Sequence, residues 1–237
     1  MKIKLPEGVG ICIQGPTDFT DICYFWNGFD CPVVWSTWET EPAKNILKIE
    51  RSGIEVILSP KPNYSGYLNF NMQSTSTRVG LTRLKELGVN HAVKVRSDMI
   101  FSGIETVWQE IVGCDISFMH SYNPKYCPEL AYCLDGIYHV GLDFTLDHIV
   151  FGNIDTMLYV FGGHEHWNRP IPPESIILKR WLDYRNLVHD FRPEYLKQNG
   201  LVYFGPIAMK HSKQVLWLKN NWDFTGIMHN EPNQRIY

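Results

Sequence analysis

NFNMQSTSTRVGLTRLKELGVNHAVKVRSDMIF, residues 69–101, is the stretch whose reading decides the fold. It opens on a cluster of Asn, Gln, Ser and Thr, places Leu81, Leu84 and Leu87 at helical spacing, and breaks at Gly88. The pattern predicts a helix with Ser74 or Ser76 as N-cap, the three leucines as its apolar side and Gly88 as its stop. On that reading Arg78 sits within about the first turn. His91 to Val95 then forms a β-branched, mostly apolar run, as expected of a strand buried in a sheet. It delivers Arg96-Ser97-Asp98 to the strand's C-terminal end, the edge at which open α/β sheets take their ligands.

Upstream the same rhythm repeats. Gly8 to Gln14 reads as a strand broken by Gly15-Pro16-Thr17, and Thr20 to Phe29 as a short helix ended by Gly28. Pro32 to Ser36 is a second strand, followed by Thr37-Trp38-Glu39-Thr40. Ile46 to Arg51 is a helix stopped at Gly53, and Glu55 to Leu58 a third strand closed by Ser59-Pro60-Lys61-Pro62. Alternating strands and helices argue for an α/β domain with a mainly parallel sheet and right-handed crossovers. Downstream, Ile104, Val107, Trp108 and Ile111 recur at helical spacing, and Asp115 to His120 is a strand. Residues 121–135 are loop-like, and Gly136 to Leu142 forms another strand. Gly152 and Asn153 start a helix through Phe161. Pro173-Glu174 begins one with Ile177, Trp181 and Tyr184 on one side. Pro193 to Gln198 is a short helix, and Val202 to Phe204 and Val215 to Leu218 are strands. No repeat or linker interrupts the chain, so residues 1–237 read as one domain.

Composition narrows the function. Hydrophobic residues are 44% and charged residues 20% of the chain, which suits a globular core. A net charge of -3 does not indicate a broad patch for nucleic acid. The cysteines, Cys12, Cys23, Cys31, Cys114, Cys127 and Cys133, form no CxxC pair and have no finger-like spacing with histidine, as expected of reduced thiols in the cytoplasm. The opening MKIKLPEGVG lacks a signal-peptide core, and no run is long enough to cross a membrane. The expected location is therefore cytoplasmic, with contact at the inner face of a membrane left open.

Asp98 is the leading candidate for chemistry. Mg²⁺ or Mn²⁺ bridging two phosphate oxygens needs only one or two protein carboxylates, and a single acid at a strand end meets that need. Arg96 is placed to contact phosphate. The plain alternative is that Asp98 caps the helix near Gly103. The polar cluster Asn69, Asn71, Gln73, Ser74 and Thr75, with Arg78 and helix N-terminal amides, suits an anion or sugar hydroxyls on the same sheet edge. An ordinary polar loop with an N-cap would read the same way.

The order of blocks resembles the WavE-type lipopolysaccharide-synthesis proteins, assigned as glycosyltransferases. The matching pieces are ICIQGPT, VVWSTWE, NMQSTSTRVGL, AVKVRSDM, DFTLDHIVFGNIDTM and PPESIILKRWL, between Gly8 and Leu182. The resemblance implies a GT-A-like, Rossmann-type sheet with a DxD-like metal motif. Here the triplet is Arg-Ser-Asp, without the first acid. It implies a nucleotide-sugar half at about residues 1–120 and an acceptor half at about 121–237. Gly15, Pro16 and Thr17 would lie by the base, Thr37, Trp38 and Glu39 by the nucleoside, and Gln73, Arg78, Arg96, Ser97 and Asp98 around the diphosphate. For Gly15 a tight turn, and for Trp38 core packing, are equal readings. Asp147, a charge in an apolar run, is the candidate base for an acceptor hydroxyl. Glu165, in a His-flanked loop, and Glu174, explained equally by the helix dipole, are its rivals.

The expected activity is metal-assisted transfer of a hexosyl or deoxyhexosyl group. The donor would be a UDP-, GDP- or dTDP-sugar and the acceptor a glycan or lipid-linked glycan, as in polysaccharide or lipopolysaccharide biosynthesis. Two other classes stay open. A sugar-phosphate nucleotidyltransferase would use a similar sheet edge, although Gly15-Pro16-Thr17 is a poor phosphate loop. A non-catalytic carbohydrate-binding protein would use the aromatics.

Overall fold

The computed structural model describes residues 2–66, 69–105, 116–119, 132–134, 137–139, 149–162, 173–188, 201–203 and 215–217. Side chains are described at residues 2–66, 69–105, 149–162 and 176–188. Three β-strand and α-helix steps lay down the frame. Strand β1 (Val9–Gln14) leads through a 3₁₀ turn at Thr20–Ile22 and helix α1 (Cys23–Trp26) to β2 (Val33–Trp38). Helix α2 (Ala43–Arg51) leads to β3 (Glu55–Ser59), and α3 (Phe70–Glu86) to β4 (His91–Arg96). Then come β5 (Met99–Phe101), β6 (Ile116–Met119), β7 (Tyr132–Leu134), β8 (Ile137–His139), β9 (Ile149–Asn153), α4 (Ile154–Val160), α5 (Pro173–Tyr184), β10 (Leu201–Tyr203) and β11 (Val215–Trp217).

The main sheet has seven strands in the order β10-β6-β9-β4-β1-β2-β3. β3, β2, β1 and β4 are mutually parallel, β9 runs antiparallel between β4 and β6, and β10 is parallel to β6. The mixed, mostly parallel sheet with flanking helices places the chain in the α/β class, as the rhythm of the sequence predicts. Two ribbons stand apart, β5 with β11 and β7 with β8, both antiparallel. Tyr132–Leu134 in the second ribbon corrects the loop expected there.

Strand periodicity divides the core into two layers. Ile11 and Ile13 of β1, Trp35 of β2, Val93 and Val95 of β4 and Phe151 of β9 pack with Trp26 of α1 and Ile49 of α2. The alternate residues Cys12, Val34, Ala92 and Val150 pack against α3, α4 and α5 through Phe70, Leu81, Leu84, Met157, Ile177 and Trp181. Lys94 breaks the apolar pattern. It is fully buried on the second face, opposite Cys12 in register, with Nζ 5.8 Å from the Phe161 ring centroid. Among the described residues no helix is long and apolar enough to cross a membrane.

Several expected boundaries move. α3 begins at Phe70, with Asn69 in the left-handed region at φ 63°, so neither Ser74 nor Ser76 is its N-cap. Both serines lie inside the helix. The Ser74 hydroxyl donates to the Phe161 carbonyl, and Ser76 donates to Met72 at 3.0 Å, which frees them from capping. At the other end the stop is as expected. Gly88, at φ 82°, donates to Lys85 O at 3.0 Å and Val89 to Leu84 O at 3.1 Å, a paired closure that only a left-handed residue allows. Leu87 caps this end and is 42% exposed, so it leaves the apolar side to Leu81 and Leu84. β2 extends two residues past Ser36 and takes in Thr37 and Trp38. Gly152 and Asn153 belong to β9. Asn153 Oδ1 then caps α4, accepting from Asp155 at 2.9 Å and Thr156 at 3.3 Å. The expected helices at Ile104–Gly113 beyond Glu105 and at Pro193–Gln198 lie outside the described residues.

Candidate functional site

The strand order 3-2-1-4 reverses between β1 and β4. In such sheets the connections on either side of the reversal leave in opposite directions and open a crevice at the C-terminal strand ends. A cavity of about 370 Å³ lies there. Its floor is Gln14, Gly15 and Pro16 after β1 and Arg96, Ser97 and Asp98 after β4. Trp38 from the end of β2, Lys61 beyond β3 and Asn69, Met72 and Gln73 at the start of α3 complete it, with Asp18, Phe19 and Glu41 on one wall.

The floor is pinned by backbone. Gln14 stands opposite Arg96 in register, and Ser97 N donates to Gln14 O at 2.9 Å. Gly15 N donates to Ser36 O at 3.2 Å, and its own carbonyl accepts from Trp35 Nε1 at 3.3 Å. Gly15 has φ 131°, and a Cβ there would stand 2.5 Å from Ser97 Oγ, so the approach of the two loops requires glycine. Beside it, fully buried Thr17 is clasped to the entry of α2. Glu41 Oε2 accepts from Thr17 N at 2.9 Å and Oγ1 at 2.6 Å, while Asn45 Nδ2 donates to Thr17 O at 3.0 Å.

Arg96 and Asp98 meet as a two-pronged pair. Nε donates to Oδ1 at 2.9 Å and Nη2 to Oδ2 at 2.7 Å, with Asp98 only 7% exposed. Such forks are the strongest class of side-chain hydrogen bond. The cavity also holds carboxylates of Asp18 and Glu41 against the cations Lys61 and Arg96, so its lining carries three acids and two bases. Oxygen donors with a net negative lining fit a hard divalent cation of the Mg²⁺ or Mn²⁺ kind, which binds one or two carboxylates and fills its shell with water and phosphate. Among the described residues no three His, Cys, Asp or Glu side chains gather into a cage, and such an ion would rest on Asp98 with its Arg96 fork opened.

Of the expected site residues, Gly15, Pro16, Trp38, Gln73, Arg96, Ser97 and Asp98 come together on this cavity. Trp38 is 3% exposed and serves both core and wall, so its two readings are not exclusive. Thr17 lies just behind the wall. Thr37 is fully buried, and its Oγ1 meets no hydrogen-bond partner among the described residues. As an odd-numbered residue of β2 it shares its face with Trp35 and turns away from α3. The expected position of Arg78 within the helix is corrected. With α3 starting at Phe70 it lies roughly 12 Å along the helix from its first residue, well past the first turn. The amides expected to meet an anion are partly occupied, since Asn71 N and Met72 N donate to Ser65 O at 2.9 and 3.4 Å. Asp147 and Glu165 lie outside the described residues. Glu174 lies in the first turn of α5, behind Pro173 as expected, with its side chain outside the described set.

Sequence reading passed over Gln14, Asp18, Phe19, Glu41, Lys61 and Met72 as site residues. Lys61 was legible in principle, being a base within a Pro-bounded loop that closes a parallel strand. Glu41 and Phe19 were not, because only the folded crossovers bring them to β1. No protein-family model matches the chain and no curated protein matches it, so the function rests on its own residues.

Proposed function

We propose that the chain is a GT-A-like, nucleotide-sugar-dependent glycosyltransferase whose donor diphosphate occupies the cavity between β1 and β4. The observation that carries this reading is the Arg96–Asp98 pair on the floor of a cleft at the reversal of strand order, beside aromatic and polar walls. Phe19 and the largely buried Trp38 give an aromatic lining for a nucleobase, and Gln14, Asn69 and Gln73 offer amides to ribose or sugar hydroxyls. Arg96 and Lys61 supply positive charge for linked phosphates.

Asp98 would hold Mg²⁺ or Mn²⁺, which when bound would neutralise charge on the leaving diphosphate. In the transfer an acceptor hydroxyl attacks the anomeric carbon. A new C–O bond forms to the acceptor, the bond to phosphate breaks with its electron pair, and a carboxylate takes the hydroxyl proton. Asp147 is the proposed base if the configuration inverts, with Glu165 and Glu174 as the other candidates. The acceptor is a glycan or lipid-linked glycan, and the place of action is the cytoplasm or the inner face of a membrane.

The test is nucleoside diphosphate release from UDP-, GDP- and dTDP-sugars with Mn²⁺ and a glycan acceptor. One donor should give acceptor-dependent release, and Asp98→Ala should lower it by ~10²-fold or more, the scale of losing one preorganised charge contact. Full activity in Asp98→Ala with that donor would remove Asp98 from the mechanism.

A further inference from the structure

The Arg96 guanidinium and a divalent cation want the same carboxylate. Both Asp98 oxygens bond to the arginine, at 2.9 and 2.7 Å, and the Asp98 side chain is 10% exposed against 37% for Arg96. A full positive charge on both oxygens largely cancels the attraction that Asp98 offers a second cation. The same planar fork matches a phosphate as well as a carboxylate. Arg96 lines the cavity and is the more open partner, so its guanidinium is the more accessible of the two to a phosphate there.

We propose that Arg96 is a latch that makes cation binding conditional on phosphate. In the structure the fork holds both oxygens of Asp98. A nucleoside diphosphate draws the fork onto its own oxygens and releases Asp98 to Mn²⁺ or Mg²⁺. Nucleotide and cation therefore bind as a coupled pair, each tightening the other by the same factor. This deepens the nucleotide-diphosphate reading and rests on it. It adds an order of assembly and assigns that order to one side chain.

The test is Mn²⁺ binding to the full chain by titration calorimetry and electron paramagnetic resonance, alone and with saturating UDP, GDP or dTDP. Asp98→Asn serves as the control for Mn²⁺ chelated by free nucleotide. The wild type should bind Mn²⁺ at least ~10-fold more tightly with its nucleotide, equivalent to ~1.4 kcal/mol of coupling. Arg96→Met should bind Mn²⁺ without nucleotide more tightly than the wild type does without nucleotide, and show a smaller coupling, the remainder coming from phosphate oxygens on the cation. Arg96→Lys keeps the charge without the fork and should raise nucleotide-free Mn²⁺ affinity to an intermediate level, which carries the test if Arg96→Met does not fold. Equal Mn²⁺ affinity with and without a bound nucleotide, or intact coupling in either variant, overturns the latch and leaves the donor site standing. No binding of any nucleoside diphosphate overturns both.

Discussion

Cys12 lies at the centre of the sheet with its thiol pushed up to about 12 from an ordinary 9.0, by burial first, with Lys94 opposing. Cys31 is pushed to about 12 by burial and by Asp30. Each folded thiol keeps its proton where the unfolded chain loses it. The stability this lends is complete below about pH 9 and drains away as pH rises towards 12. Unfolding free energy measured by urea should fall between about pH 9 and 11, and Cys12→Ala should flatten that fall by up to ~1.4 kcal/mol per pH unit. Parallel pH profiles for the two proteins would contradict the assignment. At this scale the sequence was informative about identity and poor about pairing. Asp98 at a strand end was legible because strand ends follow from hydrophobic runs. Its bond to Arg96 was not, because it depends on how the two residues after β4 turn back.

Helix α3 carries the largest difference between expectation and structure. Its apolar stripe was read from Leu81, Leu84 and Leu87, which describes only its C-terminal half. The first half buries the consecutive residues Gln73, Ser74, Thr75, Ser76 and Thr77 instead, which go right round the helix and leave no periodic hydrophobic signal. Reading those residues as a loop and cap moved the N-cap from Asn69 to Ser74 or Ser76, more than a full turn, and misplaced Arg78. Gly80 lets α3 lie close against the sheet. A Cβ there would lie 2.5 Å from Cys12 Sγ and 3.0 Å from Ser36 Cβ. Gly80→Ala gains about 1 kcal/mol of helix propensity yet should destabilise the protein by a net ~1–2 kcal/mol through overpacking. Combining it with Cys12→Ala should recover part of that loss. Additive losses in a double-mutant cycle would show that helix and sheet do not meet there. The strands were read more faithfully, because β1 to β4 are short apolar runs closed by Gly, Pro or charged residues.

At the scale of the whole molecule, the rhythm of strands and helices was enough to place the chain among α/β proteins and to mark the sheet edge at which the cavity opens. It could not give the antiparallel insertion of β9 between β4 and β6, since local sequence carries no record of strand direction. Nor could it bring Glu41, Lys61 and Phe19 to one cavity. The reversal between β1 and β4 organises everything proposed about function, and ligand-linked stability reads it directly. The decisive measurement is the thermal unfolding midpoint of the full chain across UDP-, GDP- and dTDP-sugars with Mn²⁺, comparing wild type with Arg96→Met. One donor class should raise the wild-type midpoint in proportion to the logarithm of its concentration, at 100 times its Kd by ~2.7 kcal/mol of added stability, and the variant should lose most of that rise. A flat response to every donor, or an equal rise in the variant, would contradict a diphosphate site at the β1–β4 crevice.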